Sequence, residues 1–259
     1  MELLQGSLYD YPSYYDLVFG SDWKAEHDFL QQCFQRFAKV EVKRVFEPAC
    51  GTGRLLFRLA RGGYEVSGLD LNERAVAYCN DRLVRRGFPP SAFVGDMTDF
   101  RLRRRVDACF NMINSFRHLQ SEAAARNHLR RVSAALKRGG IYVLGLHLTP
   151  TAADPMEDES WSARRGNLMV NTQLQTTYRD LSAREEHFEM TCDVYTPTKR
   201  RRVVDEVVFR TYTADEISDL LGRVPDLQLL ATYDFAYDLT QPALLDERAE
   251  DIVLVLGKT

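Results

Sequence analysis

The chain has 259 residues, 45% of them hydrophobic, and a formal net charge of −3 at pH 7, which fits one large domain with an insertion or two small ones. The acidic balance argues against a general nucleic-acid binder, whose phosphate contacts demand a basic face, and no apolar run approaches the length of a membrane span. Five scattered cysteines (Cys33, Cys50, Cys79, Cys109, Cys192) form no C-x-x-C pair, the five histidines form no ligand cluster, and no signal peptide is seen, so reduced thiols, a cytoplasmic location and no dedicated metal site are expected.

Residues 1–20 interleave Tyr9, Tyr11, Tyr14, Tyr15 and Phe19 with Asp10, Pro12 and Asp16. They read as an arm packed by its own rings, with a lid that lays a tyrosine over a pocket as the sharper alternative. Trp23, His27, Leu30 and Phe34 are spaced for an amphipathic helix over 23–37. Lys43–Ala60, KRVFEPACGTGRLLFRLA, predicts a strand, a tight loop of small residues from Pro48 to Gly53, and a helix beginning at Gly53 and Arg54. Such a loop lets backbone approach a ligand closely. A second strand, 64–69, ends in Asp70, and Asn72 caps a helix to about Arg86. A short strand over 92–95 precedes Asp96-Met97, and a fourth strand spans 106–112. Glu47, Asp70 and Asp96 therefore end three successive strands, at the edge where open α/β sheets bind ligands. A helix over 121–136, a Lys137-Arg138-Gly139-Gly140 loop and a strand over 141–148 continue the alternation of a doubly wound parallel sheet.

Beyond Pro150 a polar connection, 151–163, leads into three strand-like runs, 167–176, 183–195 and 203–212, with no helix between them. They predict an antiparallel insertion. The Lys199–Arg202 cluster reads as its solvated hairpin tip, with phosphate binding as the alternative. A helix over 214–221 and strands over 227–234 and 252–256 restore the α/β pattern, the last strand running antiparallel. The expected fold is an α/β, doubly wound, seven-stranded, mostly parallel Rossmann-like sheet with a three-stranded insertion. Its parts are an arm and core (1–150), the insertion (151–212) and the rest of the core (213–259).

With Gly51 and Gly53 as the first two glycines of a dinucleotide fingerprint, the third falls on Leu56, which argues against a nicotinamide cofactor. A ligand with a ribose, an adenine and an amino-acid end suits the carboxylates better: Asp70 for the ribose hydroxyls, Asp96 for the exocyclic amine, and the 47–53 loop for the ammonium and carboxylate. That ligand is S-adenosylmethionine. EPACGTGR (47–54), GLDLN (68–72), GDMTDF (95–100) and LKRGGIYVL (136–144) resemble the motifs of the class I S-adenosylmethionine-dependent methyltransferases, with Ala49 where many members have glycine. The resemblance implies cofactor contacts from Glu47, Ala49, Gly51, Gly53, Arg54, Asp70, Leu71, Asp96, Met97 and Met112.

Tyr15-Asp16, the stretch Asn114 to Leu119 and the insertion are similar to the small-molecule N-methyltransferases of the aminosugar type. This implies that Tyr15 and His118 border the transferred methyl, with His118 accepting a proton or orienting the acceptor. His147, at the end of the fifth strand, could also face the pocket, near where many members of the family carry an acid. The insertion should roof an acceptor pocket shared by Tyr15, His118, Trp161, Tyr237 and Asp238. A small-molecule acceptor is the expected partner, and the exposed edges of the insertion also suit a homodimer. Two other readings stand beside this one: an S-adenosylmethionine-binding regulator without chemistry, and an RNA methyltransferase favoured by Lys199–Arg202 alone.

Overall fold

The structure, a computed structural model, describes residues 1–20, 23–155 and 158–259. In chain order the elements are β1 (Glu2–Leu4), a 3₁₀ turn (Leu8–Asp10), α1 (Pro12–Val18), α2 (Trp23–Phe37), β2 (Arg44–Pro48), α3 (Leu56–Arg61), β3 (Glu65–Asp70), α4 (Glu73–Val84), β4 (Ala92–Val94) and β5 (Val106–Asn111). A second 3₁₀ turn (Ser115–His118) precedes α5 (Glu122–Ala135) and β6 (Leu136–His147). Then come β7 (Asp158–Arg165), β8 (Leu168–Asp180), β9 (Glu185–Tyr195), β10 (Arg200–Arg210), α6 (Ala214–Gly222), β11 (Leu227–Tyr233) and β12 (Asp251–Lys258).

Seven strands form one sheet in the order β11-β12-β6-β5-β2-β3-β4. The pairs among β2 to β6 are parallel, and β12 runs antiparallel between β6 and β11. Successive residues on a strand point to opposite faces, so the sheet divides its apolar residues between two cores. Val45, Ala108, Val143 and Val255 face Leu30, Phe34, Leu59 and Leu83 of α2, α3 and α4. Phe46, Cys109, Leu144 and Leu256 face Leu129 and Val132 of α5 and Ile217 and Leu220 of α6. Burying a side chain such as Phe110, fully enclosed in the first core, contributes about 2–3 kcal/mol. The helix starts are set by Asn72, Ser121 and Thr213, whose side chains accept from first-turn N–H groups; Thr213 forms a capping box with Glu216.

Three expectations are corrected. The insertion has four strands, because the supposed connection contains β7. There Glu159, Trp161 and Ala163 alternate inward while polar neighbours face out, so a strand with one polar face resembles a loop in composition. The arm also contributes: β1 pairs parallel with β10, giving a five-stranded sheet β1-β10-β9-β8-β7. That covers one edge expected to be exposed. Finally, no loop separates α5 from β6. Leu136 pairs with Val106 and Ile141 with Ala108, so residues 137–140 form an irregularity within β6, helped by Gly139 at φ +79°. Residues 156 and 157 of the expected polar connection lie outside the described part.

Candidate active site

The carboxyl ends of β2, β3, β5 and β6 and the inner face of the five-stranded sheet enclose one cavity of about 540 Å³, within the range of small-molecule sites. The core supplies one half. After β2 the chain turns through Ala49 (φ +54°), Gly51 (φ +51°) and Gly53 (φ +66°). A Cβ on Gly53 would fall 2.2 Å from Cys79 Sγ, so glycine is required there by packing as well as by φ. Gly53 itself does not line the cavity, and α3 starts at Leu56, later than expected. Gly53, at a left-handed φ, cannot belong to the helix, and Arg54, which lines the cavity, makes a buried bidentate pair with Glu26 of α2 at 2.7 and 2.6 Å.

Glu47, 6% exposed, lines the cavity, and its Oε2 has no hydrogen-bond partner. Burial pushes its carboxyl well above the usual range, against the pull of Arg54. An unsatisfied buried carboxyl oxygen in a cavity wall is a seat for an ammonium. Asp70 Oδ2 accepts from Gly51 N–H at 2.7 Å, and Oδ1 from Asn72 N–H at 2.9 Å. Burial raises its pKa and those N–H groups oppose the rise. Each oxygen keeps a lone pair, so Asp70 both folds the loop and offers acceptors to a diol. Ala49, Leu71, Met97 and Met112 line the same half. Exposed Asp96 does not; its Oδ1 caps the turn through Thr98 N–H at 2.7 Å, between the lining residues Gly95 and Met97. These groups fit the ammonium, ribose and adenine of S-adenosylmethionine.

The other half comes from distant parts of the chain. Tyr15 lies over the loop, with Cε1 3.2 Å from where a Gly51 Cβ would stand. From it an aromatic belt runs to Phe19 and Trp161 on one side, and to Tyr9, His118, Phe209 and Phe188 on the other, with successive centroids 4.8–6.0 Å apart. Tyr9 Oη lies 3.0 Å from His118 Nε2. The His118 ring is open to the cavity but enclosed by protein around it; burial, then the charge of Arg117, depresses its pKa to about 4. His147 lines the cavity too, with Nδ1 paired to Asp251. Tyr237 and Asp238 are not brought in. Tyr237 stacks on Phe235 and packs tilted against Phe29, and Asp238 caps the turn at Thr240.

Three contributors escaped the sequence reading. Arg117 and Arg179 clamp Glu186 in the wall. His128 of α5 donates from Nδ1 to the Met97 carbonyl at 3.0 Å and accepts from Tyr142 O–H at 2.8 Å, holding the loop that carries Met97. Asp16, 2% exposed, binds Thr52 Oγ1 (3.0 Å) of the loop, Arg82 of α4 and Arg165 of β7. Burial opposes its ionisation, but the hydrogen bonds and charges of Arg82 and Arg165 outweigh it and hold the carboxyl below its usual range. The aromatic spacing of the arm was the one visible signal. Two members of the Lys199–Arg202 cluster are engaged within the protein: Arg201 pairs with Glu2 and Tyr14, and Arg202 with Asp193.

This fold is the one found in solved S-adenosylmethionine-dependent methyltransferases. Residues 45–140 match the family model described as a methyltransferase domain. The chain is 26% identical over 185 residues to the dTDP-3-amino-3,4,6-trideoxy-alpha-D-glucopyranose N,N-dimethyltransferase of Streptomyces venezuelae, covering 69% of this chain and 75% of that protein. It is 33% identical over 134 residues to the dTDP-3-amino-3,6-dideoxy-alpha-D-glucopyranose N,N-dimethyltransferase of Streptomyces fradiae, covering 50% of each. A methyltransferase-named protein of Geobacillus sp. (strain WCH70) is 27% identical over 52% of this chain and 56% of its own length, so some of these matches span only about half of the relative. Among solved structures, Streptomyces venezuelae DesVI superposes with a TM-score of 0.78 at 19% identity, over 99% of this chain and 100% of that one. An amino pentose methyltransferase from Micromonospora echinaspora, solved with S-adenosylmethionine bound, gives 0.73 at 22% identity over the whole of both chains. At such identities these two likenesses concern the fold.

Proposed function

We propose that the chain methylates an amino nitrogen of a small, sugar-like molecule held beneath the five-stranded sheet. The observation that carries this reading is the continuity of the cavity: Glu47, Gly51 and Asp70 line one half, and Trp161, Phe188 and Phe209 the other. S-adenosylmethionine, when bound, supplies an activated methyl group. Glu47 would receive its ammonium and Asp70 its ribose, with Met97 and Met112 against the adenine. The protein's remaining task is alignment. Tyr15 and the Tyr9–His118 pair stand between the halves, and the aromatic belt excludes water while presenting apolar faces to a sugar ring. The names of the relatives point to aminosugars, and the enclosed wall of the insertion suits a small acceptor better than an RNA strand. Among the described residues no helix is long and apolar enough to cross a membrane.

The test is incubation with S-adenosylmethionine and a panel of free and nucleotide-linked amino sugars, simple amines and RNA, read by the mass gain of one methyl group. Methylation of an amino sugar is expected. Tight cofactor binding with no transfer to any acceptor would favour a regulatory protein, and transfer to RNA alone would overturn the acceptor class.

A further inference from the structure

We infer that the His147–Asp251 pair, and not His118, is the proton acceptor that frees the lone pair of the acceptor's ammonium. This rests on the reading of the cavity as a methyl-acceptor site. His147 ends β6 and Asp251 begins β12, and the two are direct Cα partners across the antiparallel pairing. The Asp251 carboxylate can only accept, so Nδ1 carries the hydrogen of the neutral imidazole and the lone pair is left on Nε2. No hydrogen bond engages Nε2 among the described residues, and the ring borders the cavity. Its orientation is fixed further by the backbone N–H of His147, which donates to Asn114 Oδ1 at 2.7 Å, and by Phe235, whose ring centroid lies 5.0 Å away.

The turn that brings Asn114 to this place is costly. Ile113 and Asn114 take φ of +53° and +61° in succession, and a β-branched residue in that region is an outlier held by its surroundings. Both line the cavity. The strained turn thus serves to hold His147 and to shape the wall next to it.

His118 is poorly suited to the same task. With its pKa near 4 it does not retain a proton at neutral pH, and its Nε2 is engaged by Tyr9. It fits an orienting role. The charged or titratable groups sharing the cavity with His147 are Glu250 ahead of β12, Glu159 on β7, Arg179 and Glu186 across the sheet, Arg117 and His118 after β5, and Glu47, Arg54 and Asp70 in the other half. Asp251 is the one bonded to its ring. In the step, an N–H bond of the ammonium breaks, its electron pair stays on nitrogen, and a new N–H bond forms at Nε2, where Asp251 balances the imidazolium charge.

The experiment compares kcat–pH profiles of the wild type, His147→Gln, Asp251→Asn and His118→Asn with an acceptor found in the amine panel, alongside calorimetry with S-adenosylmethionine. His147→Gln is expected to lose about 100-fold or more in kcat at pH 7, with cofactor affinity within about twofold of wild type. The deficit should shrink as pH rises past the pKa of the acceptor amine, because the acceptor then arrives deprotonated. Asp251→Asn should lose about tenfold with the same pH trend, and His118→Asn should raise KM more than it lowers kcat. A deficit in His147→Gln that is constant with pH, or an unaltered kcat, overturns the inference while leaving the functional reading intact. A wild type that binds the cofactor and methylates nothing overturns both.

Discussion

The two halves of the cavity are built in opposite ways. The cofactor half comes from strand ends and short loops within residues 47–112, and Asp70 is placed from within that segment: Gly51 N–H and Asn72 N–H donate to it. The half proposed to hold the acceptor comes from the arm, the turn at 115–118 and β7 to β10, held by contacts between residues far apart, such as Asp16 with Arg165. A local scaffold can be read from spacing, whereas a remote one depends on which distant elements meet. Asp16 is where the halves are joined, since it binds the loop, α4 and β7 at once.

Breaking that junction should have the largest effect. Asp16→Ala leaves Arg82 and Arg165 without their carboxylate and is expected to cost roughly 3–5 kcal/mol, measured by denaturant unfolding. Both cofactor and acceptor binding should weaken in the same variant, unlike any change confined to one half.

Acid should attack the cofactor half through His128. Burial holds its imidazole to about 4 instead of 6.5, so the unfolded chain binds a proton that the native state refuses. Stability worth about 3 kcal/mol, fully present above pH 6.5, should be lost as pH falls towards 4. Urea unfolding at pH 7 and pH 4.5 checks this, and His128→Gln should flatten the dependence.

Asp70→Ala should weaken S-adenosylhomocysteine binding by roughly 1.5–3 kcal/mol, read by calorimetry. Acceptor KM should change little if the halves are as separable as their construction suggests. Conversely, Phe188→Leu removes one ring from the acceptor-side belt at a partly buried position. It should raise acceptor KM by about 3- to 10-fold, the worth of an aromatic contact, with cofactor affinity unaltered. Asp238→Ala should be the mildest change, leaving kcat/KM within about twofold, because its carboxylate caps a turn outside the cavity. A large loss there would restore Asp238 to the acceptor site.

Much of the core was legible because its signals are local. Alternating apolar residues set the strands, Asn72 and Ser121 mark helix starts, and the β11–β12 reversal follows from where the helices and connections lie. Glu47, Asp70 and the glycine loop were legible for the same reason: a ligand seat at the ends of adjacent parallel strands needs carboxylates and small residues at fixed intervals. What the chain could not disclose alone is which side chains share space. β7 hides in a polar run because only Glu159, Trp161 and Ala163 turn inward. β1 is three residues long and becomes a strand only beside β10. Tyr237 and Asp238 leave the expected sheet edge, yet the packing of Tyr237 against Phe29 and Phe235 carries the segment away from the cavity. His147 was visible as a strand-end histidine, but its pairing with Asp251, 104 residues later, exists only because β12 enters the sheet antiparallel to β6. Spacing along the chain determines backbone geometry and the groups attached to it, while partners across the fold are decided by packing, where burial energy selects among many arrangements that the same local pattern permits.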